Sequence, residues 1–128
     1  MKKIAAFIIV SAMLLSLCSC GQDIAYTANN LLIANDSAAH IASIGVHADN
    51  QSHGVCNADQ SPLKKGVVFG FHIAAQQGCA FRVEVNDEEG NPTALAAFIK
   101  DFTDKSDGEI HLYIRDDGRG QTYITDTE

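Results

Sequence analysis

Apolar and polar residues alternate with a period of two along much of this chain, which is the pattern of a strand with one face buried. In "CAFRVEVND", Phe81, Val83 and Val85 point one way while Arg82, Glu84 and Asn86 point the other. In "EIHLYIRD", Ile110, Leu112 and Ile114 point inward, and His111, Tyr113 and Arg115 outward. "GVVFGFHIA" places Val67, Phe69, Phe71 and Ile73 on one face; "HIASIGVHA" opposes Ile44 and Val46 to His47. "NLLIAN" and "QTYIT" are shorter candidates near the two ends. All are rich in the β-branched and aromatic residues that suit a pleated, half-buried surface.

The breaks between these stretches carry turn chemistry. Asp87-Glu88-Glu89-Gly90-Asn91-Pro92 and Asp116-Asp117-Gly118-Arg119-Gly120 combine glycine for positive φ with Asp or Asn for local backbone bonds. Strands at this spacing predict an all-β fold, an antiparallel β-sandwich of immunoglobulin-like or Greek-key type with about six or seven strands. One stretch, "NPTALAAFIKDF", fits two elements. Drawn as a helix it has Asn91 as cap, Pro92 in the first turn and a stripe of Leu95, Phe98, Ile99 and Phe102. Drawn as a strand it leaves the acidic turn and pairs with residues 81–86, which the hairpin signal favours. A helix over 92–102 makes the class α+β.

The first residues form a separate unit. Lys2 and Lys3 precede the uncharged run "IAAFIIVSAMLLSL", the layout of a secretory signal. That run stops short of the ~20 apolar residues that a bilayer-spanning helix needs. It ends in Leu17-Cys18-Ser19-Cys20-Gly21. This stretch resembles the lipobox of bacterial lipoproteins, with small Ser19 before the acceptor and Gly21 after it. The resemblance implies that residues 1–19 are removed and that Cys20 carries a diacylglycerol thioether. It also implies a protein held on the extracytoplasmic face of a cell membrane. The expected organisation is a signal (1–19), a lipidated cysteine with a short linker (20–30) and one β-sandwich domain (31–128). The domain's layout is loosely similar to small extracytoplasmic β-sandwich domains of unknown function. An early strand containing Asn leads to Leu63-Lys64-Lys65-Gly66-Val67, and a later strand ends in Asp87 to Asn91. That likeness implies no activity.

Charge narrows the partners. Without the leader the chain keeps seven Lys+Arg against sixteen Asp+Glu, a net charge near −9. Such a chain is repelled by nucleic acid and by anionic headgroups, so the lipid alone must hold the membrane. From Glu84 onward there are twelve acids and four bases. Solvated hairpin turns account for this excess, and a surface for a cation or a cationic partner is the alternative.

Cys56 and Cys79 are the thiols left in the domain. An even pair outside the cytoplasm suggests a disulfide. If 66–74 is one strand, the two lie beyond its opposite ends, about 27 Å apart along it, whereas a bridge needs Cα atoms within ~7 Å. Bridging requires the loop 49–65 to fold back, so bridged and separate thiols both stay open. His47, Asp49, His53 and Cys56, within "HADNQSHGVC", mix the donors of a zinc or copper site, at a spacing matching no compact ligand pair. The acidic turns, including Asp116 and Asp117, together with Asp101, Asp104 and Asp107, supply calcium's oxygen chemistry, but no stretch fits an EF-hand loop.

Catalytic patterns are sparse. There is no Gly-x-Ser-x-Gly elbow, P-loop or dinucleotide-binding glycine pattern, and no catalytic residue is assigned. The sequence therefore predicts a lipid-anchored, non-catalytic binding or structural module that contacts another envelope or extracellular protein or component. The rival expectation is a calcium- or zinc-binding module.

Overall fold

A strand that alternates in polarity needs a second sheet to cover its apolar face, and the chain supplies two. In a computed structural model, residues 29–103 and 109–128 are described. They hold eight strands: β1 (Leu31–Asn35), β2 (Ser43–Ala48), β3 (Gln51–Cys56), β4 (Val68–Phe71), β5 (Cys79–Asn86), β6 (Pro92–Lys100), β7 (Ile110–Asp116) and β8 (Thr122–Thr125). One sheet has the order β4-β1-β7-β8, the other β3-β2-β5-β6. Their inner faces share one core, in which Leu31, Ile33, Ile44, Val46, Val83, Val85, Leu112 and Ile114 are fully buried. The ring of Phe81 stacks on Phe98 at 5.6 Å and meets Phe102 edge-on at 5.4 Å, closing one end of the sandwich.

The all-β sandwich is as the alternation predicts, and 92–102 is strand rather than helix. Residues of β6 take opposite faces in turn, with Ala94, Ala96 and Phe98 half-buried and Leu95, Ala97 and Ile99 exposed. There are eight strands where about six or seven are expected, and three further details differ. The sandwich is not wholly antiparallel, because β1 runs parallel to β7, Leu31 opposite Ile110 and Asn35 opposite Ile114. Parallel neighbours need a long connection, and here it contains the whole second sheet. Next, part of the expected loop 49–65 is strand β3, in a hairpin with β2 that turns at Asp49-Asn50. Its sequence, QSHGVC, lacks apolar alternation because an edge strand buries little beyond Val55. Finally, Asn30 belongs to the domain rather than to a linker. Its side chain donates to the Ile73 carbonyl at 2.7 Å and accepts from the Ile73 N–H at 2.8 Å.

The connection from β1 to β2 is fastened by polar groups. Asn35 is fully buried at the end of β1. Its Nδ2 donates to the carbonyls of Leu63 and Lys64, each at 3.2 Å, and its Oδ1 accepts from the Ser37 N–H at 3.2 Å. The Ser37 hydroxyl donates to Asp116 at 2.5 Å, and the Ala38 N–H donates to the other carboxylate oxygen at 2.8 Å. These bonds hold the bend at Asn35–Ala39 between the 63–66 loop and the end of β7. Hydrogen bonds from Ser37, Ala38 and Thr122 hold the Asp116 carboxyl below its usual range.

Candidate binding surface

The register of the β3-β2-β5-β6 sheet decides which of the candidate residues share a face. Directly paired residues lie on the same side of a sheet. Val46 pairs with both His53 and Val83, so His53 belongs to the inner, core-facing side. His47 pairs with Ser52 and Arg82, so it belongs to the outer side. Cys56 is opposite Ser43 and is also outer, but four residues from His47 along β2, about 13 Å. His47, Asp49, His53 and Cys56 therefore do not converge. The His47 ring instead contacts the Ser52 hydroxyl at 3.1 Å, and His53 contacts the Gln51 side chain at 3.3 Å. Among the described residues no group of three or more His, Cys, Asp or Glu is placed to hold a metal ion.

The same register separates the thiols. Cys56 aligns through Ser43 with Asn86, whereas Cys79 begins β5, seven residues or about 23 Å away. Cys79 shares the inner face with Phe81 and Val83, where burial pushes its thiol up, with the Asp49 carboxylate adding to the effect. The possible disulfide does not form: both cysteines are free, Cys56 exposed and Cys79 buried.

One carboxylate oxygen of Asp87 and one of Asp117 fold the acidic turns they sit in. Asp87 Oδ1 accepts from the N–H groups of Glu89 and Asn91, at 3.0 and 2.9 Å. Asp117 Oδ1 does the same for Arg119 and Gln121, at 2.7 and 3.1 Å. Asp116 fastens Ser37 and Ala38, and Asp101 caps Thr103 at 3.0 Å. The β5–β6 and β7–β8 turns lie at one end of the sandwich, near His40, whose ring meets Glu88 at 2.8 Å. Asp101 follows β6 at the other end. Asp104 and Asp107 lie outside the described residues, as do the leader and Cys20.

What the sheet does present is an outer face divided into polar and apolar halves. Across it one row reads Ser52, His47, Arg82, Ala97, and the next reads Gly54, Gly45, Glu84, Leu95. Gly45 leaves room for the His47 ring, since a Cβ there would come within 3.1 Å of Nε2. The ring lies 3.9 Å from the Glu84 carboxylate. Along β6 the face turns apolar: Leu95 is 59% exposed and Ile99 73%, with Ala97 between them. An open groove of about 760 Å³ runs beside this stripe, lined by Ala80, Ala97 and Ile99 and rimmed by His47, Asp49 and Arg82. The apolar stripe was visible in the sequence as Leu95 and Ile99. Its exposure was not, because it depends on 92–100 being a strand that turns these positions to the outer face. No known family, curated protein or solved structure matches this chain.

Proposed function

We propose that this protein is a lipid-anchored extracytoplasmic module whose work is binding rather than catalysis. The β3-β2-β5-β6 face is its docking surface. The observation that carries the binding reading is the Leu95–Ala97–Ile99 stripe, which keeps apolar side chains in water beside the charges of Arg82 and Glu84. Exposed apolar surface rimmed by polar groups is characteristic of interaction sites. Support for the anchor comes from the order of Lys2-Lys3, an apolar run and Leu17-Cys18-Ser19-Cys20. Paired acyl chains hold a membrane stably where one does so marginally, so the domain needs no spanning segment to stay at the surface.

Two measurements test this. Intact-mass analysis of membrane-derived protein should show loss of residues 1–19 and a diacylglycerol adduct on Cys20; an unmodified cysteine overturns the anchor. Cross-linking on the intact envelope should then capture a defined neighbour through β6. Capture that is unchanged by Leu95→Lys overturns the assigned face.

A further inference from the structure

Resting on that reading of the face, we propose that its occupant is a second copy of this chain, joined antiparallel through β6 with Ala96 at the two-fold axis. β6 is hydrogen-bonded on one side only, to β5, and forms the edge of its sheet. Edge strands of monomeric proteins are usually blunted by charge, proline or shortness. Here the other edges are short or polar: β4 and β8 have four residues each, and β3 reads QSHGVC. β6 has nine residues, with Pro92 and a register irregularity at Thr93 at one end, Lys100 at the other, and a regular stretch from Ala94 to Ile99 without charge, proline or glycine. β8 lies near it, tied by Lys100 to Asp126 at 2.6 Å, but forms no ladder with it.

The sequence of β6 is self-complementary in size about Ala96. Antiparallel pairing centred there sets Leu95 opposite Ala97 on the outer face; Ile99 falls beyond the regular ladder, where the register skips Thr93. The same pairing sets Phe98 opposite Ala94 and Ala96 opposite Ala96 on the inner face. Each large side chain within the regular ladder thus meets a small one. Charge selects the same register. Arg82 lies beside Ala97 and Glu84 beside Leu95. The row crossing the junction therefore reads Arg82, Ala97, then Leu95 and Glu84 of the second copy, with opposite charges flanking an apolar centre. Centring on Ala97 aligns Arg82 with Arg82, and centring on Leu95 aligns Glu84 with Glu84. A one-residue slip turns every side chain to the wrong face. If both copies are tethered to one membrane, their local concentration is raised, so a modest edge pairing suffices there.

The test uses the full-length protein purified in detergent. Sedimentation should show a concentration-dependent dimer, and Leu95→Lys, at an exposed position, should weaken it by about tenfold or more while leaving the melting temperature unchanged at dilutions where both proteins are monomeric. For the register, Leu95→Cys and Ala97→Cys chains are oxidised separately and mixed, and the cross-linked peptides are mapped. A 95–97 bridge in the mixture alone supports the proposal. An Ala97→Cys chain that bridges to itself overturns the register. A monomer at all concentrations overturns the pairing, and if β6 still cross-links to a different envelope component the docking reading survives without it. Failure of that capture as well removes both.

Discussion

Asn35 is the buried polar group on which the β1–β2 connection turns, and replacing it by alanine has a cost that follows from its partners. The side chain serves three backbone groups: the carbonyls of Leu63 and Lys64 and the N–H of Ser37. Lys64 is exposed, so water can replace the amide at its carbonyl; Leu63 and Ser37 are buried. A buried group left without a partner costs about 1–3 kcal/mol. Two such groups, with partial relaxation, give an expected loss of about 2–4 kcal/mol, a large share of a small domain's stability. Urea denaturation followed by far-UV circular dichroism measures it, with an unchanged m value showing that the same surface unfolds. Asn35→Asp sharpens the test, because it keeps the shape but aims a carboxylate at two carbonyls. Burial without a cation raises that carboxyl's folded pKa, so its penalty is full at neutral pH and relieved as pH falls and the group takes a proton. A loss below about 1 kcal/mol for Asn35→Ala, or an Asn35→Asp variant no worse at pH 7 than at pH 4, would refute this account of the fastening.

Other outcomes follow from the same geometry. The Asp116 carboxyl titrates low, so its contribution is present above the unfolded value of about 3.9 and lost as pH falls through the lower folded value. The melting-temperature gap between wild type and Asp116→Ala should therefore be constant from pH 7 to 5 and narrow below about pH 4; a gap that widens with acid contradicts the assignment. A thiol reagent should modify Cys56 in the folded protein and Cys79 only after denaturant is added. Equal rates at the two would mean that Cys79 is not in the core. A Cβ at Gly70 would collide with the Asn29 side chain. Gly70→Ala should cost about 1–3 kcal/mol in the same urea assay, and a neutral result would show Asn29 free to move aside.

The elements were legible where one face is buried and the other wet. Phe81, Val83 and Val85, or Leu112 and Ile114, announce their side of the sheet at every second position, and the structure buries each of them. β3 was illegible for the complementary reason. At the edge of the sheet, Gln51, Ser52 and His53 satisfy the backbone ladder without contributing to the core, so nothing in their side chains marks a strand. The metal-ligand cluster rested on its mix of donor types, at a spacing that matched no compact ligand pair; a hairpin turn lies between His47 and His53, and the register puts them on opposite sides. In the acidic turns, Asp87 and Asp117 each fold their own loop through two N–H groups, a role that their spacing in the sequence does not announce. Size complementarity within β6 was present in the letters from the start. It acquires meaning only when Arg82 and Glu84 are known to stand beside it.

The placement of β1 between β4 and β7 also dictates a timetable. Leu31 finds its antiparallel neighbour Phe71 forty residues later and its parallel neighbour Ile110 seventy-nine residues later. Contacts so distant in sequence slow folding, because the chain must close large loops before any pairing rewards it. A chain emerging from a ribosome must therefore deliver most of its length before both neighbours of its first strand are present. Until Ile114 arrives, β1 has at most one of its two sheet neighbours, and one of its edges stays unpaired.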